Sequence, residues 1–375
     1  MKIHYIAEYS GTNNNYVRKG SPAGFAKMSY FENVFNSIGV DYEIYSTSQA
    51  VSPSKQKKRR EGRIIYRSSF LTKNKYMFLF ERFWAILQLL IYLIKIPKND
   101  IVFVYHERYY APWIKVVHRL KRWKLIYEVE EIYGDVAGNL KMAASEHKYL
   151  SIADAYIFPT ILLNQDVNTK GKPYLINHGT YEVAKEFPND TSDDKIHCVY
   201  AGTFDQTKGG VTAAVAAAEF LDERYVLHVL GFGSEREKEQ LLRFIEEVSK
   251  RTQCKITYDG LLKGEEYFKY IQSCNIGLST QNPLGGFNET SFPSKVLSYM
   301  ANGLRVVSAR IKVLETSELN ELLYYYDEST PQNIAATIRL INIDDKYDSK
   351  KKILELDKDF KANFKRLIEN LKGEK

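Results

Sequence analysis

The fold of this 375-residue chain is decided by the stretch "HCVYAGTFDQTKGG", which runs from His197 to Gly210. An apolar strand ends at Tyr200, a loop opens through Gly202, and two glycines after Lys208 precede an alanine-rich helix. Small residues let backbone amides approach a phosphate, and a lysine at a helix entrance supplies positive charge. The pattern predicts a strand, an anion-binding turn and a helix. It is not a P-loop, because no glycine-lysine-serine/threonine triplet occurs.

A second stretch, "NETSFPSKVLSYMANG" from Asn288 to Gly303, indicates a loop that runs into a helix. Pro293 suits the first helical turn, and apolar residues then recur at helical spacing. Lys295 would lie near the positive end of the helix macrodipole, where an isolated cation is disfavoured by about 0.3–1 kcal/mol. Two interpretations stay open: a solvated lysine that tolerates this penalty, or an anion bound between the lysine and the helix end.

Apolar, strand-like runs alternate with longer helical patterns along both halves of the chain. The runs of the first half are "IHYIAEY", "YEIYST", "IVFVYHE", "KLIYEVEE", "AYIFPT" and "PYLINHG", and those of the second are "HCVYAG", "YVLHVLG", "KITYDG", "IGLST" and "RVVSA". This order predicts mostly parallel sheets that are covered on both faces. We therefore expect an α/β fold with two doubly wound, Rossmann-like domains facing a central cleft, and ligand groups at the carboxyl ends of the strands.

The chain is too long for a comfortable single core, so two domains are expected. The best linker candidate is "EVAKEFPNDTSDDK", Glu182 to Lys195, which is rich in turn-forming and acidic residues. We expect the first domain over residues 1–185 and the second over residues 186–348. The charged tail, residues 349–375, has helical apolar spacing and is expected to pack back on the first domain.

The composition narrows the class of protein. Apolar residues make up 44% of the chain, which supports well-buried cores. Three cysteines are widely spaced, so neither a disulfide framework nor a zinc site is indicated. The first residues lack the apolar core of a signal peptide, and a cytoplasmic location is expected. The net charge of +7 could attract nucleic acid, but no recognised nucleic-acid-binding module accompanies it.

Part of the positive charge is local, because residues Lys55 to Arg63 hold six basic side chains in nine positions. An aromatic and aliphatic segment follows from Tyr76 to Ile96. Its uninterrupted apolar run is short for a membrane span. The alternatives are a buried helix of an α/β domain, or a helix whose apolar side also meets a bilayer, with the basic loop attracted to anionic lipid headgroups.

Four motifs, in this order and at this spacing, resemble the donor domain of GT-B fold glycosyltransferases. They are "YAGTFDQTKGG", "LHVLGFG", "ITYDG" and "FPSKVLSYMANGLRVVSA", and the likeness is closest to the bacterial retaining group 1 enzymes of capsule and exopolysaccharide synthesis. The resemblance covers residues 195–309 well. The first half resembles the family's acceptor domain in outline only. A nicotinamide Rossmann interpretation is weak, because Arg236 replaces the third glycine of that fingerprint.

The resemblance implies a donor site for a nucleoside-diphosphate sugar, with UDP as the expected nucleotide. The residues expected to contact the diphosphate or nucleotide are Gly202, Thr203, Lys208, Gly231, Gly233, Gly260, Leu261, Thr290, Ser291, Phe292, Pro293, Ser294, Lys295 and Ser298. The chain departs from the family's usual pattern at three of these. Thr203 replaces an arginine, and two glutamates seven residues apart are absent near Thr290 and at Ser298, although Glu289 is adjacent to the first. In the subset with "PSK", Lys295 would offset the missing arginine.

The same resemblance implies transfer with retention, in which the departing phosphate takes the proton of the acceptor hydroxyl. Fixed donors would stabilise the leaving group, so no metal and no cofactor are expected, and the absence of an Asp-x-Asp triplet agrees with this. The candidate catalytic residues are His106, Glu130 and Glu289, and the candidate acceptor-side residues are Gly11, Glu107, Glu131 and His178. The acceptor would be a glycan or a lipid-linked sugar in cell-surface polysaccharide synthesis, and the enzyme would bind the inner membrane surface peripherally.

Two alternatives remain. One is a non-catalytic, glycosyltransferase-like subunit that binds a partner or a membrane, which the missing arginine and glutamates favour. The other is a phosphorylase or epimerase of the same fold. The sequence leaves open the sugar, the base, the acceptor and the oligomeric state.

Overall fold

The protein was analysed as a computed structural model that describes residues 1–10, 18–20, 22–51, 57–188, 193–205, 210–283 and 290–373. Its chain divides into two compact units. Unit 1 comprises Met1–Thr180 and Lys358–Lys375, and unit 2 comprises Tyr181–Asp357.

Unit 1 is an eight-stranded sheet with helices on its faces. Its strands are β1 (Ile3–Ala7), β2 (Tyr42–Ser46), β3 (Arg59–Glu61), β4 (Ile64–Tyr66), β5 (Ile101–Tyr105), β6 (Lys124–Glu128), β7 (Ala155–Phe158) and β8 (Tyr174–Ile176). Its helices are α1 (Pro22–Ser37), α2 (Lys75–Lys95), α3 (Ala111–Lys121), α4 (Tyr133–Val136), α5 (Leu140–Leu150) and α6 (Ile161–Val167). The strand order is β3-β4-β2-β1-β5-β6-β7-β8. The β3–β4 pair is antiparallel, and the other described pairs are parallel.

The central strands of unit 1 are buried on both faces, as expected for a parallel sheet between helices. One face is strongly aromatic: the ring of Tyr5 stacks on that of Phe103 with centroids 4.6 Å apart. The last helix, which runs Ser349–Gly373, belongs to unit 1 from Lys358 onward. It adds Phe360 and Phe364 to this aromatic cluster, where both contact Phe31 of α1.

Unit 2 is a six-stranded sheet, parallel throughout the described pairs. Its strands are β9 (Ile196–Thr203), β10 (Tyr225–Phe232), β11 (Lys255–Gly260), β12 (Ile276–Ser279), β13 (Arg305–Ala309) and β14 (Leu323–Tyr326). Its helices are α7 (Gly210–Ala217), α8 (Glu235–Ser249), α9 (Gly264–Gln272), α10 (Ser294–Ala301), α11 (Lys312–Glu315) and α12 (Pro331–Arg339), with short 3₁₀ turns at Ala218–Phe220 and Asn320–Leu322. The helix Ser349–Gly373, which begins in this unit, is α13.

The strand order of unit 2 is β11-β10-β9-β12-β13-β14. The chain therefore builds outward from β9 in one direction and from β12 in the other, which is the doubly wound arrangement. In such sheets, ligands bind at the carboxyl ends of the two strands where the order reverses. The loops after β9 and β12 lie at that point, and they are the two stretches that the sequence singles out.

Helix α2 occupies the apolar segment but is not a buried helix. Only one of its faces packs into unit 1, through residues that include Ala85, Leu89 and Leu93. All five side chains from Tyr76 to Phe80 are exposed. A fully buried helix, one of the alternatives that the sequence leaves open, therefore does not describe most of the surface of α2. Its length and hydropathy would allow it to cross a membrane, a test that core helices of soluble proteins can also pass.

Candidate functional site

The amino end of α10 meets the end of β9 at the reversal point of unit 2. The Lys295 ammonium lies 4.9 Å from the centre of the Tyr200 ring. A Cβ atom added to Gly202 would fall 2.7 Å from the Lys295 Nζ, so with any other residue here the end of the lysine side chain would have to move. Two sequence-predicted residues that are 93 positions apart are thus in contact.

Gly231 explains how the neighbouring strand comes so close to Gly202. The two glycines are paired in register between β10 and β9. Gly231 has a φ of 143°, and a Cβ atom there would overlap the carbonyl oxygen of Gly202. This glycine therefore has a packing role whether or not it touches a ligand.

Tyr299 fixes the position of α10, and the sequence analysis did not identify it. Its buried hydroxyl accepts a hydrogen bond from the backbone N–H of Ala201 at 2.8 Å. Its ring packs over Gly277 of β12, where any Cβ atom would clash with it. The helix is thereby tied to both strands of the reversal point. The aromatic residue four positions after Lys295, on the same helix face, is the signal that could have identified this anchor.

The amino end of α10 is open to an anion. The helix begins at Ser294, and Pro293, which the sequence places in the first turn, is instead its N-cap residue and provides no side-chain cap. The Ser291 hydroxyl is buried and has no hydrogen-bond partner among the described residues. Uncapped helix amides carry partial positive charge and favour an anion. With Lys295 alongside, this end is a ready-made phosphate site.

The amino end of α8, which follows Gly231 and Gly233, is closed. Ser234 and Glu237 form a capping box, in which the Ser234 hydroxyl accepts from the Glu237 N–H and the Glu237 carboxylate accepts from the Ser234 N–H. A phosphate there would meet a carboxylate. In the sequence, a serine followed three residues later by a glutamate predicts this capping box. Of these two helix ends, the amino end of α10 is therefore the better site for an anion.

The remaining donor-side predictions fall at different distances from α10. The Ser298 and Tyr267 hydroxyls lie 3.2 Å apart, within hydrogen-bond distance. Thr203 ends β9, and its carbonyl oxygen accepts from the Tyr200 hydroxyl at 3.1 Å. Gly260 is the last residue of β11, two strands from β9, and the exposed Leu261 follows it. Thr290 and Phe292 lie in the loop before α10, whereas Lys208 lies outside the described residues, as do the candidate catalytic residue Glu289 and the acceptor-side candidate Gly11.

In unit 1, carboxylates gather where neighbouring parallel strands end. Glu8 follows β1 and Glu107 follows β5, and these two strands are paired. Burial raises the pKa of Glu107 to about 7, and the nearby Glu8 contributes to the rise. One Glu107 oxygen accepts from the Tyr109 N–H at 3.1 Å, whereas the other has no partner among the described residues. Glu8 also comes just after a strand, which is the feature by which the sequence analysis selected Glu107.

His106 lies between the end of β5 and Glu107. It is buried and packs against the rings of Tyr127 and Tyr133. Burial lowers its pKa to about 4, so the imidazole is neutral at pH 7. A buried, neutral imidazole is better suited to packing that supports the ends of these strands than to direct contact with a substrate.

Glu130 is ion-paired with Lys27 of α1. The same ammonium lies 3.7 Å from Glu128, whose other carboxylate oxygen accepts from the Tyr5 hydroxyl at 2.6 Å. Burial raises the pKa of Glu128 well above its usual range, and Lys27 opposes the rise. Lys27 and Glu128 were missed because the cluster joins residues about 100 positions apart.

The last two acceptor-side candidates differ in environment. His178 is buried, and its Nδ1 donates to the Pro159 carbonyl oxygen at 2.7 Å, a structural role that the sequence left open. Glu131 follows Glu130 and raises the pKa of the neighbouring Tyr133 hydroxyl, which burial already elevates.

One group among the described residues has the spacing of metal ligands. The carboxylates of Asp135 and Asp166 and a nitrogen of His147 lie within 4.8 Å of one another in unit 1. The two carboxylates are exposed, and such groups are common without an ion. The group belongs to a different unit from the open end of α10.

No protein-family model and no curated protein matches the chain. Solved structures match it over almost its full length. An α,α-trehalose 6-phosphate synthase from Burkholderia multivorans has a TM-score of 0.70 at 10% identity, with 99% of this chain and 96% of that one covered.

Two further solved structures support the same comparison. One, described as trehalose-6-phosphate from E. coli bound with UDP-2-fluoro glucose, has a TM-score of 0.66 at 12% identity, with coverage of 100% and 99%. A lipopolysaccharide outer core galactosyltransferase has a TM-score of 0.64 at 15% identity, with 99% of both chains covered. These similarities show that the chain has the GT-B fold.

Proposed function

We propose that this protein is a glycosyltransferase that moves a sugar from a nucleoside-diphosphate donor, a UDP-sugar, to a glycan or lipid-linked acceptor. The observation that carries the proposal is the contact of Lys295 with Gly202 at the uncapped amino end of α10. This arrangement offers a lysine and helix amides to one anion at the reversal point of the sheet. The GT-B fold supports the proposal, and one similar structure is described as bound with UDP-2-fluoro glucose.

In the proposed donor complex, the diphosphate lies at the amino end of α10. Lys295, the N–H groups of its first turn and the Ser291 hydroxyl hold the phosphate oxygens, and Lys208 adds a second cation. The nucleoside extends across the sheet toward β11, where exposed Leu261 offers an apolar surface to the base. Two strands span about 10 Å, which suits the separation of a base from its diphosphate.

The proposed reaction transfers the sugar with retention and without a metal. The acceptor oxygen forms a bond to the anomeric carbon on the face from which the phosphate leaves. The bond from that carbon to the phosphate oxygen breaks, and the departing phosphate takes the acceptor proton. Lys295 and the α10 amides stabilise the negative charge that develops on the leaving group. Retention rests on the resemblance of the sequence motifs to the retaining group 1 enzymes.

Unit 1 is proposed to bind the acceptor through the carboxylates at the ends of its strands. Ionised carboxylates accept hydrogen bonds from sugar hydroxyls. One buried oxygen of Glu107 has no hydrogen-bond partner among the described residues. We place the enzyme in the synthesis of bacterial cell-surface polysaccharide, at the inner face of the cytoplasmic membrane.

A panel of nucleotide sugars tests the proposal. The purified chain is incubated with each donor and with candidate acceptors, and release of nucleoside diphosphate is followed. Release that depends on both donor and acceptor, and falls at least tenfold in Lys295→Ala, supports transfer. Tight binding of UDP without any turnover would instead favour the non-catalytic subunit, and release of a sugar phosphate would favour a phosphorylase.

A further inference from the structure

Two neighbouring helices of unit 1 present large apolar side chains to solvent. On α2, Tyr76 is 81% exposed and Phe83 is 61% exposed, and on α3, Leu120 is 78% exposed. The other exposed apolar residues of these two helices are Met77, Phe78, Leu79, Phe80, Trp84, Ile91, Ile94, Trp113 and Val116, of which those from Met77 to Phe80 surround the amino end of α2. Scattered apolar residues are normal on a surface, but a contiguous patch of this kind marks an interaction site.

The two helices form one surface. Both flank β5, because α2 leads into this strand and α3 leads from it to the neighbouring β6. The Lys121 ammonium at the end of α3 donates to the Ile94 carbonyl oxygen near the end of α2, at 2.8 Å. Near the other end, the Arg82 guanidinium of α2 lies 4.4 Å from the centre of the Tyr109 ring, just before α3. We call this surface the α2–α3 face.

The α2–α3 face is rimmed by positive charge. Its exposed basic residues, on the helices and just beyond their ends, are Lys73, Lys75, Arg82, Lys95, Lys98, Arg119 and Arg122. The two helices contain a single carboxylate, Glu81, which is buried and ion-paired with Arg67 at 2.6 Å. An apolar face with basic residues and no exposed carboxylate has the chemistry of a surface that binds anionic lipid.

We propose that the α2–α3 face docks on an anionic lipid bilayer, with α2 lying in the interface and not crossing it. The docking rests on exposure and charge, and only the lipid-linked nature of the acceptor rests on the proposed function. Withdrawal of α2 to span a bilayer would break the buried Arg67–Glu81 pair and remove Leu89 and Leu93 from the core. Each of these losses is costly, so the interfacial position is favoured.

The charge on the face disfavours a second copy of this chain as its occupant. In a symmetric dimer the same patch lies on both partners, so the basic rims would face one another. Phosphate headgroups would instead neutralise them.

The position of the face links it to the proposed acceptor edge. Tyr109, whose ring contacts Arg82, also donates its backbone N–H to Glu107. The projecting amino end of α2 is thus joined to the loop that carries a candidate acceptor residue. A sugar whose lipid end lies in the interface would have its polar end near Glu107.

The basic stretch Lys55 to Arg63 contributes less than its sequence indicates. Arg60 is ion-paired with Glu43, Arg59 with Glu61, and the Arg63 guanidinium lies 4.4 Å from the Tyr42 ring. Lys55 lies outside the described residues. We therefore expect the α2–α3 face to dominate binding.

Vesicle flotation tests the docking. The full chain is mixed with phosphatidylcholine vesicles, with and without the anionic lipid phosphatidylglycerol, at low and high salt. We expect flotation with the anionic vesicles only, and release by salt. A Leu79→Ser/Phe83→Ser variant should lose at least tenfold in partitioning, and so should a Lys75→Ala/Arg119→Ala variant.

The control is Leu340→Ser, which replaces an exposed leucine of unit 2, away from the α2–α3 face, and should float like the wild type. Circular dichroism and thermal denaturation confirm that each variant folds. Equal flotation of wild type and both face variants would overturn the docking, as would resistance of the bound protein to salt and carbonate, which indicates a spanning helix. Dimerisation that the Ser variant abolishes, without vesicle binding, would assign the face to a second copy.

The two proposals fail separately. UDP titration without vesicles reports on the donor site alone. If the chain floats with vesicles but does not bind UDP, the glycosyltransferase proposal is contradicted and the docking proposal stands. If it binds UDP but does not float, the docking proposal is contradicted.

Discussion

The Lys295 side chain occupies the space that a Cβ atom on Gly202 would need, 2.7 Å from the lysine Nζ. The glycine at the end of β9 and the lysine at the start of α10 are therefore one structural unit. The glycine admits the lysine, and the Tyr200 ring beneath it faces the cation. A cation over the face of an aromatic ring is stabilised by the electrostatic field of the ring.

This contact predicts a specific pattern of mutant effects. Gly202→Ala should displace the lysine and weaken UDP binding, and Lys295→Ala should weaken it by about 1.5–3 kcal/mol, the range of a hydrogen bond to a charged group. The double variant should lose no more than Lys295→Ala alone, because both changes remove the same interaction. Isothermal titration of the four proteins measures this. Additive losses would mean that the glycine acts independently of the lysine.

Tyr299→Phe should destabilise unit 2. The change removes the hydroxyl that accepts the Ala201 N–H and leaves that amide without its partner, at a cost of about 1–3 kcal/mol. UDP affinity should fall as well, because the same bond positions α10. Urea denaturation gives the stability change, and Tyr76→Phe, at an exposed position, is the control that should be neutral.

Glu107 predicts a pH dependence of stability. Its pKa of about 7 in the folded chain lies above the ordinary value of 4.5, so the folded state holds the proton more tightly than the unfolded state. Stability should then fall as the pH rises from 4.5 through 7. The Glu107→Gln variant has no carboxyl group at this position and does not lose this stability. The free energy of unfolding of the variant, relative to that of the wild type, should therefore increase by about 1–3 kcal/mol between pH 5 and pH 8.

Denaturation curves at several pH values measure the Glu107 effect. Glu247→Gln, a change at an exposed carboxylate of α8, should follow the wild-type profile. A constant offset between Glu107→Gln and wild type across this range would contradict the raised pKa.

Transfer should continue in the presence of a chelator. The groups proposed to hold the leaving diphosphate are lysines, amides and a hydroxyl, which need no metal to bind phosphate. Activity is measured with and without EDTA, and after addition of Mg²⁺ or Mn²⁺. An Asp135→Asn/His147→Gln variant tests the possible ligand group of unit 1, and it should retain full activity. Activity that EDTA abolishes and Mn²⁺ restores would contradict metal-independent transfer.

The sequence by itself determined the class of fold and two of the elements that meet at the site. Strand-like runs alternating with helical periods predict parallel sheets, because the spacing of apolar residues is local and reports which faces of each element are covered. Glycines at strand ends and a lysine at a helix entrance are local signals too, so Gly202 and Lys295 could be identified before their contact was known.

Only the tertiary structure decided which of these local signals meet. Tyr299 anchors α10 by a bond to a strand about 100 residues away, and Lys27 pairs with Glu130 over a similar separation. Such contacts depend on strand order, which periodicity does not encode. The same limit applies to α2, whose apolar composition fits both burial and exposure. Whether other elements of unit 1 cover each face of α2 decides between burial and exposure. In this chain, much of the helix is left uncovered.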